Sequence, residues 1–158
     1  MSDSDNGITK TYSLLFIIFV AGCLTSCGNK TAENRSAPQK GQSSTKYDQY
    51  FVHGEVLYQQ HCSNCHQATG TGLGRVYPPL AKSDYMMANL DSVVCLIRNG
   101  KDGELVVNGT SYNQRMPEIP SLTDIEIAQI TTYIYNSWGN EHGIVEVNDV
   151  SRILLSCQ

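Results

Sequence analysis

The sequence predicts a small, mostly helical domain that carries one short β-hairpin. A capping box, Thr123-Asp124-Ile125-Glu126, opens a stretch in which apolar residues recur at helical spacing as far as Trp138. The dipeptide Asn108-Gly109 lies between residues that favour β-strands, which is a strong hairpin signal. Residues 47–61 place their apolar side chains on one helical face, which predicts a first helix.

Length and charge narrow the class of protein. The chain has 158 residues, enough for one domain, and its 15 acidic against 11 basic residues give a net charge of −4. Because no basic surface is indicated, nucleic acid is not an expected partner. Six cysteines are more than a small cytosolic carrier needs, so we expect each to have a role outside the cytoplasm.

The first residues resemble an export signal. Lys10 precedes the apolar run Leu14–Val20, which is shorter than the roughly twenty residues of a membrane-spanning helix and matches the apolar region of a signal peptide. Two stretches ending at Cys23 and Cys27 resemble the bacterial lipobox, in which the cysteine becomes the lipidated first residue. We favour Cys27, since cleavage there leaves an even set of cysteines, with Cys23 as the alternative.

This interpretation sets the predicted organisation of the chain. Residues 1–26 are a lipoprotein signal peptide, and 27–46 are a polar, flexible tether without apolar periodicity. Residues 47–140 form the functional domain, and 141–158 are a C-terminal extension that packs on it. The expected location is the periplasmic side of a bacterial membrane, with the protein held by a lipid anchor.

The most informative motif is Cys62-Ser63-Asn64-Cys65-His66, a C-x-x-C-H. Two thiols separated by two residues can form thioether bonds with the two vinyl groups of a haem, and the adjacent histidine can bind the iron. A thioredoxin-like redox pair would require a βαβ context, which is absent from the pattern. Half of a zinc site would require a second ligand pair, and Cys95 and Cys157 stand alone. We therefore predict one covalent haem c.

Around this motif, roughly from residue 50 to 140, the chain resembles the class I cytochromes c. The resemblance rests on the motif, on the loop Gly70-Thr71-Gly72-Leu73-Gly74 and on Tyr77-Pro78-Pro79-Leu80. It implies three to five helices around one haem. The hairpin predicted from Asn108-Gly109, before the loop of the axial methionine, departs from the smallest members of that family, which are purely helical. The resemblance also implies that the Pro78 carbonyl accepts a hydrogen bond from His66 Nδ1, although Pro78 is also compatible with a plain turn. Leu80 is expected to contact the haem.

The sixth iron ligand is predicted to be Met116. It lies in an irregular segment before Pro117, and the resemblance implies a Met-Pro ligand shortly before the last helix. Met86 and Met87 fall in a predicted helix and are expected to fill the core. His53 and His61 are expected at the surface, and His142 is a further rival.

The other elements form the frame of the domain. A helix is predicted over 90–99 and ends at Gly100, a hairpin over Leu105–Tyr112, and a last helix that runs from the Thr123 cap to Gly139. Tyr112 is expected to reach a haem propionate, with solvent or packing as alternatives. The resemblance implies that the first and last helices cross at a small residue, with Gly54 and Tyr58 against Ile130 and Tyr133.

Two cysteines remain after the haem motif and the lipobox are accounted for. Cys95 lies in the predicted middle helix, and Cys157 follows a short predicted helix near residues 148–155. In an oxidising compartment they are expected to form a disulfide that holds the C-terminal extension on the domain. Two separate buried thiols are the alternative.

These features predict a single-electron carrier and not an enzyme, because His66 and Met116 would fill both axial positions of the iron. Its expected partners are redox proteins, either a dehydrogenase or an oxidase or reductase. Two alternatives stay open: a fixed electron-transfer subunit of a dehydrogenase complex, and a gas-binding haem sensor in which Met116 dissociates.

Overall fold

The computed structural model describes residues 42–157, which contain six helices and one two-stranded antiparallel sheet. None of these helices is long and apolar enough to cross a membrane. The predicted fold, mostly helical with a small hairpin, is confirmed. The elements in chain order are α1 (Gln42–His61), α2 (Ser63–His66), α3 (Asp84–Ala88), α4 (Leu90–Asn99), β1 (Leu105–Val107), β2 (Thr110–Tyr112), α5 (Asp124–Ile134) and α6 (Val147–Leu154).

The crossing of α1 and α5 holds the two ends of the domain together. A Cβ atom added to Gly54 would lie 2.0 Å from the backbone oxygen of Gln129, so only glycine allows the two helices to come this close. The rings of Tyr58 and Tyr133 pack beside this point, with centroids 5.4 Å apart. The predicted contact of Gly54 and Tyr58 with Tyr133 is confirmed. Ile130 is buried and lines the cavity described below.

The middle of the chain follows its local signals closely. Helix α4 begins at Leu90 and ends at Asn99, as predicted. In the hairpin, Leu105 pairs with Tyr112 and Val107 with Thr110. Positive φ angles of 50° at Asn108 and 71° at Gly109 are those of a type I′ turn, which explains the choice of this dipeptide.

Helix α5 ends at Ile134, so the prediction that it runs to Gly139 was wrong. Side chains take over the hydrogen bonds that a longer helix would make. The side-chain amide of Asn140 donates to the Ile134 carbonyl over 2.8 Å, and the chain turns at Trp138 with a φ of 55°. Apolar periodicity continued past this end because the Trp138 ring still packs on Tyr58, with centroids 5.1 Å apart.

The C-terminal extension is anchored to the domain. Its helix α6 buries Val150 and Ile153. A disulfide joins Cys157 to Cys95 in α4, which confirms the predicted pairing. The extension is therefore both packed and covalently tied.

Other predictions have mixed outcomes. Helix α1 begins at Gln42, inside the segment assigned to the tether, while the signal peptide and both lipobox cysteines lie outside the described residues. Met86 is buried as expected, but Met87 is 38% exposed, so its assignment to the core was wrong. Because α3 has only five residues, it can turn just one of two consecutive methionines inward. The surface positions expected for His53 and His61 are confirmed.

Candidate haem site

The C-x-x-C-H motif forms a helical turn that continues from α1. The amide of Cys62 donates to the Tyr58 carbonyl over 2.8 Å, and the amide of His66 donates to the Cys62 carbonyl over 3.0 Å. Because one helical turn carries the motif, both cysteines and the histidine border the same region of the domain. Cys62 and Cys65 take part in no disulfide in residues 42–157.

Two adjoining cavities lie against this turn, and we call them together the haem slot. The first contains about 610 Å³ of empty space and the second about 520 Å³, and both figures include space that is open to solvent. The first borders Cys62 and the second borders Cys65. The walls common to both cavities are formed by five residues: His66, Pro78, Leu96, Leu105 and Met116.

His66 is oriented by a backbone carbonyl. Its Nδ1 lies 3.0 Å from the Pro78 oxygen, the contact that the family resemblance implies. Burial lowers the pKa of His66, while the Pro78 carbonyl opposes that shift, so the neutral imidazole is the dominant form near pH 7. When Nδ1–H donates to a carbonyl, Nε2 carries the free lone pair that a metal requires.

The Pro78 carbonyl is itself held by the loop that precedes it. The amide of Gly72 donates to the His66 carbonyl over 3.0 Å, and the amide of Leu80 donates to the Gly70 carbonyl over 2.7 Å. A Cβ atom on Gly72 would lie 2.3 Å from the Tyr77 oxygen and 2.7 Å from the Pro78 oxygen. The glycine-rich loop therefore allows the carbonyl to reach the imidazole.

Met116 lies far from the motif in the chain but borders the same slot. Its amide and carbonyl exchange backbone hydrogen bonds with Lys101, over 3.0 and 2.9 Å. Met86 also lines the slot, but only the first cavity, whereas Met116 borders both, as His66 does. Ligation of iron by Met116 stays a prediction.

The other predicted residues are also at the slot. Leu80 lines the first cavity, and Tyr112, which is buried, lines the second. The sequence analysis missed Lys101 and Arg115, which border the second cavity. No local pattern indicates this, because it depends on the pairing of two segments that are distant in sequence.

The residues present fit a c-type haem. Two thiols, a neutral imidazole and a thioether border one slot whose remaining wall is mainly apolar, including Val93, Ile97 and Ile134. Burial raises the pKa of the Cys62 thiol to about 12, so this sulfur is a protonated, apolar group before attachment. Within residues 42–157, no group of three or more His, Cys, Asp or Glu side chains is placed to hold a metal ion by itself, so the second ligand pair of the zinc alternative is not formed there.

Comparison with known proteins places these features in a family. Residues 51–134 match the family model described as cytochrome c oxidase, cbb3-type, subunit III. The chain is 31% identical over 91 residues to cytochrome c-552 of Thermus thermophilus, covering 55% of this chain and 69% of that protein. The protein of the same name from a second strain of this species is covered over 61% of its length.

Further relatives are much longer than this chain. The cytochrome c subunit of a quinone alcohol dehydrogenase from Gluconacetobacter polyoxogenes is 29% identical over 132 residues. That match covers 80% of this chain but 26% of the subunit. The corresponding subunit from Gluconobacter oxydans is 28% identical over 104 residues and is covered over 21% of its length.

The loop contacts predict different effects for two substitutions at neighbouring glycines. Gly72 and Gly74 both have positive φ, 67° and 54°, so alanine strains the backbone at each by about 1–2 kcal/mol. Only at Gly72 does the new Cβ meet the carbonyls of Tyr77 and Pro78, whereas nothing lies within 4 Å at Gly74. Gly72→Ala is therefore expected to lower the free energy of unfolding by on the order of 2 kcal/mol more than Gly74→Ala.

The measurement combines denaturant unfolding with proton NMR of the ferrous holoprotein. The His66 Nδ1 proton should exchange with solvent faster in Gly72→Ala than in Gly74→Ala, because the displaced carbonyl no longer accepts it well. Equal exchange rates in the two variants would contradict the role assigned to this loop.

Proposed function

Because this chain belongs to the cytochrome c family and is a haem electron carrier, we propose that it exchanges single electrons with a periplasmic or membrane oxidoreductase through one haem bound at Cys62, Cys65 and His66. The haem supplies the one-electron chemistry when bound. The protein attaches it through two thioether bonds, orients the proximal imidazole and surrounds the ring with apolar side chains.

The observation that carries this proposal is the position of His66 and Met116. Each borders both cavities of the haem slot, and among the residues common to the two cavities only these two have side chains that commonly bind haem iron, which supports their assignment as the ligand pair. If both side chains bound the iron, no position would be left on it for a substrate, and the chemistry that the haem would supply is electron transfer. A thioether ligand stabilises ferrous iron and raises the reduction potential relative to a second histidine.

Conservative substitutions distinguish the two methionines of the slot. Met116→Leu keeps the volume of the side chain but removes its sulfur, and is expected to abolish the absorption band of the ferric protein that arises from sulfur-to-iron charge transfer. Met86→Leu is the matched control, since Met86 is buried and lines only one of the two cavities. Both changes should cost less than about 1.5 kcal/mol of stability. Loss of the band in Met86→Leu instead would assign the ligand to Met86.

We further propose that the domain works close to a membrane, held by a lipid on Cys27. Support comes from the apolar run Leu14–Val20 and the following lipobox, both of which precede the described residues. A lipid-modified cysteine followed by a polar segment would confine the haem domain to the vicinity of membrane-bound partners.

Labelling cells with an alkyne-tagged fatty acid tests this anchor. Wild type and Cys23→Ser should carry the label, and Cys27→Ser should lose it, because only a lipobox cysteine receives the acyl group. Label retained in Cys27→Ser and lost in Cys23→Ser would move the anchor to the alternative position.

A fixed electron-transfer subunit is the second candidate function. It is favoured by the relatives that are named cytochrome c subunits of quinone alcohol dehydrogenases. A fixed subunit should remain with a dehydrogenase through purification in mild detergent, whereas a shuttle should separate from it. Rapid binding of carbon monoxide to the ferrous protein would instead favour a gas sensor, since Met116 would then have to leave the iron readily.

A further inference from the structure

We propose that α6 and the Cys95–Cys157 disulfide act as a brace that holds Met116 on the iron. The brace is defined as Val147–Leu154 together with this disulfide. The inference rests on the proposed function, because it requires Met116 to be the sixth ligand. Its consequence is that the C-terminal extension controls how easily the distal side of the haem opens.

The segment that carries Met116 is attached to the end of α4. Met116 exchanges two backbone hydrogen bonds with Lys101, which follows that helix after Gly100. Beyond Pro117, the amide of Ile119 donates to the Arg98 carbonyl over 3.2 Å. Hydrogen bonds on both sides of the ligand thus connect it to residues 98–101, so the position of its sulfur depends on the position of the last turn of α4.

The disulfide of the brace reaches this same part of α4. Cys95 belongs to the final turns of the helix, and it is joined to Cys157, 62 residues further along the chain. Its neighbours Leu96 and Ile97 line the haem slot. The region of α4 that carries the disulfide is therefore also a wall of the haem site.

A carboxylate provides a second link between α6 and α4. One oxygen of Asp124, in the first turn of α5, accepts from Arg98 Nη2 over 2.8 Å, and the other accepts from Ser151 Oγ over 2.7 Å. Arg98 is the residue whose carbonyl holds Ile119. The C-terminal extension is therefore joined to α4 covalently through Cys157, and α6 is joined to the last turn of α4 by hydrogen bonds through Asp124.

The brace has to be distinguished from an ordinary stabilising disulfide. In the chain-entropy description, a disulfide acts on the unfolded chain, and removing it lowers the melting temperature without changing the folded site. A brace acts in the folded protein. Because local opening needs less free energy than global unfolding, a loosened end of α4 would let Met116 leave the iron while the domain stays folded.

The test uses the ferric holoprotein with Cys95 and Cys157 both changed to serine. Added imidazole competes with Met116 for the iron, so its apparent affinity reports the fraction of molecules in which the ligand has left. At a temperature well below unfolding, we expect this affinity to rise about tenfold. The amide protons of Met116 and Ile119 should exchange faster by a similar factor.

Two further variants make the test specific. Lys46→Gln removes the ion pair of Lys46 with Glu146, which joins the start of α6 to α1 and not to α4, and should leave the imidazole affinity unchanged. Ser151→Ala breaks only the link through Asp124 and should give an intermediate rise. Where the double serine variant does not assemble, the imidazole affinities of Ser151→Ala and Lys46→Gln are compared, and a rise in Ser151→Ala alone supports the brace.

The outcomes separate the brace from the function on which it rests. A double serine variant with a lower melting temperature, but with wild-type imidazole affinity and amide exchange, would overturn the brace and leave a disulfide that constrains only the unfolded chain. A wild-type ferric protein without the sulfur-to-iron band would overturn the ligation by Met116, whatever the serine variants show.

Discussion

The hydrogen bond between His66 Nδ1 and the Pro78 carbonyl, over 3.0 Å, is the contact on which the site depends. A neutral imidazole can offer the Nε2 lone pair to iron when Nδ1 carries the proton, and a fixed ring orientation directs that lone pair. The carbonyl meets both conditions. Its position depends in turn on a loop that returns over the haem-binding turn, where the side chain of any residue other than Gly72 would meet the Tyr77 and Pro78 carbonyls.

The two axial sides of the slot are built in different ways. His66 and Pro78 are twelve residues apart, and short-range hydrogen bonds close the loop between them. Met116 is brought to the same slot by pairing with Lys101 and by the contact of Ile119 with Arg98. The proximal side is therefore built by hydrogen bonds within one loop, while the distal side depends on pairing between two separate segments, 98–101 at the end of α4 and 116–119.

This difference explains how much of the site was predictable. The haem motif, the Asn108-Gly109 turn and the Thr123 capping box each contain their signal within a few residues, and the structure reproduces the hairpin and the cap. The resemblance to the class I cytochromes c also allowed the contact between His66 and Pro78 to be predicted. Prediction failed where a side chain from elsewhere decides the outcome, as when Asn140 takes the carbonyl of Ile134 and ends α5 early.

The same limit applies to the wall of the slot. The helix over 90–99 was predicted, but that Leu96 and Ile97 line the slot depends on how its neighbours orient the helix. Nothing in the sequence predicted that Lys101 and Arg115 lie at the slot, since a cationic residue in a loop is usually solvated. Their place on the second cavity follows from the pairing of Lys101 with Met116.

The difference between the proximal and distal sides of the slot bears on the role of the C-terminal extension. The match to the family model covers residues 51–134, so it includes both predicted ligands and ends before α6 begins. The distal side, where the predicted ligand is held through the end of α4, is the side that α6 can influence. Because Cys157 is bonded to Cys95 and Ser151 reaches Arg98 through Asp124, the extension has two links to α4 on the distal side, and neither involves His66 or Pro78. Electron transfer needs less rearrangement when the iron keeps the same ligands in both oxidation states, and a tied C-terminus favours this without lining the slot.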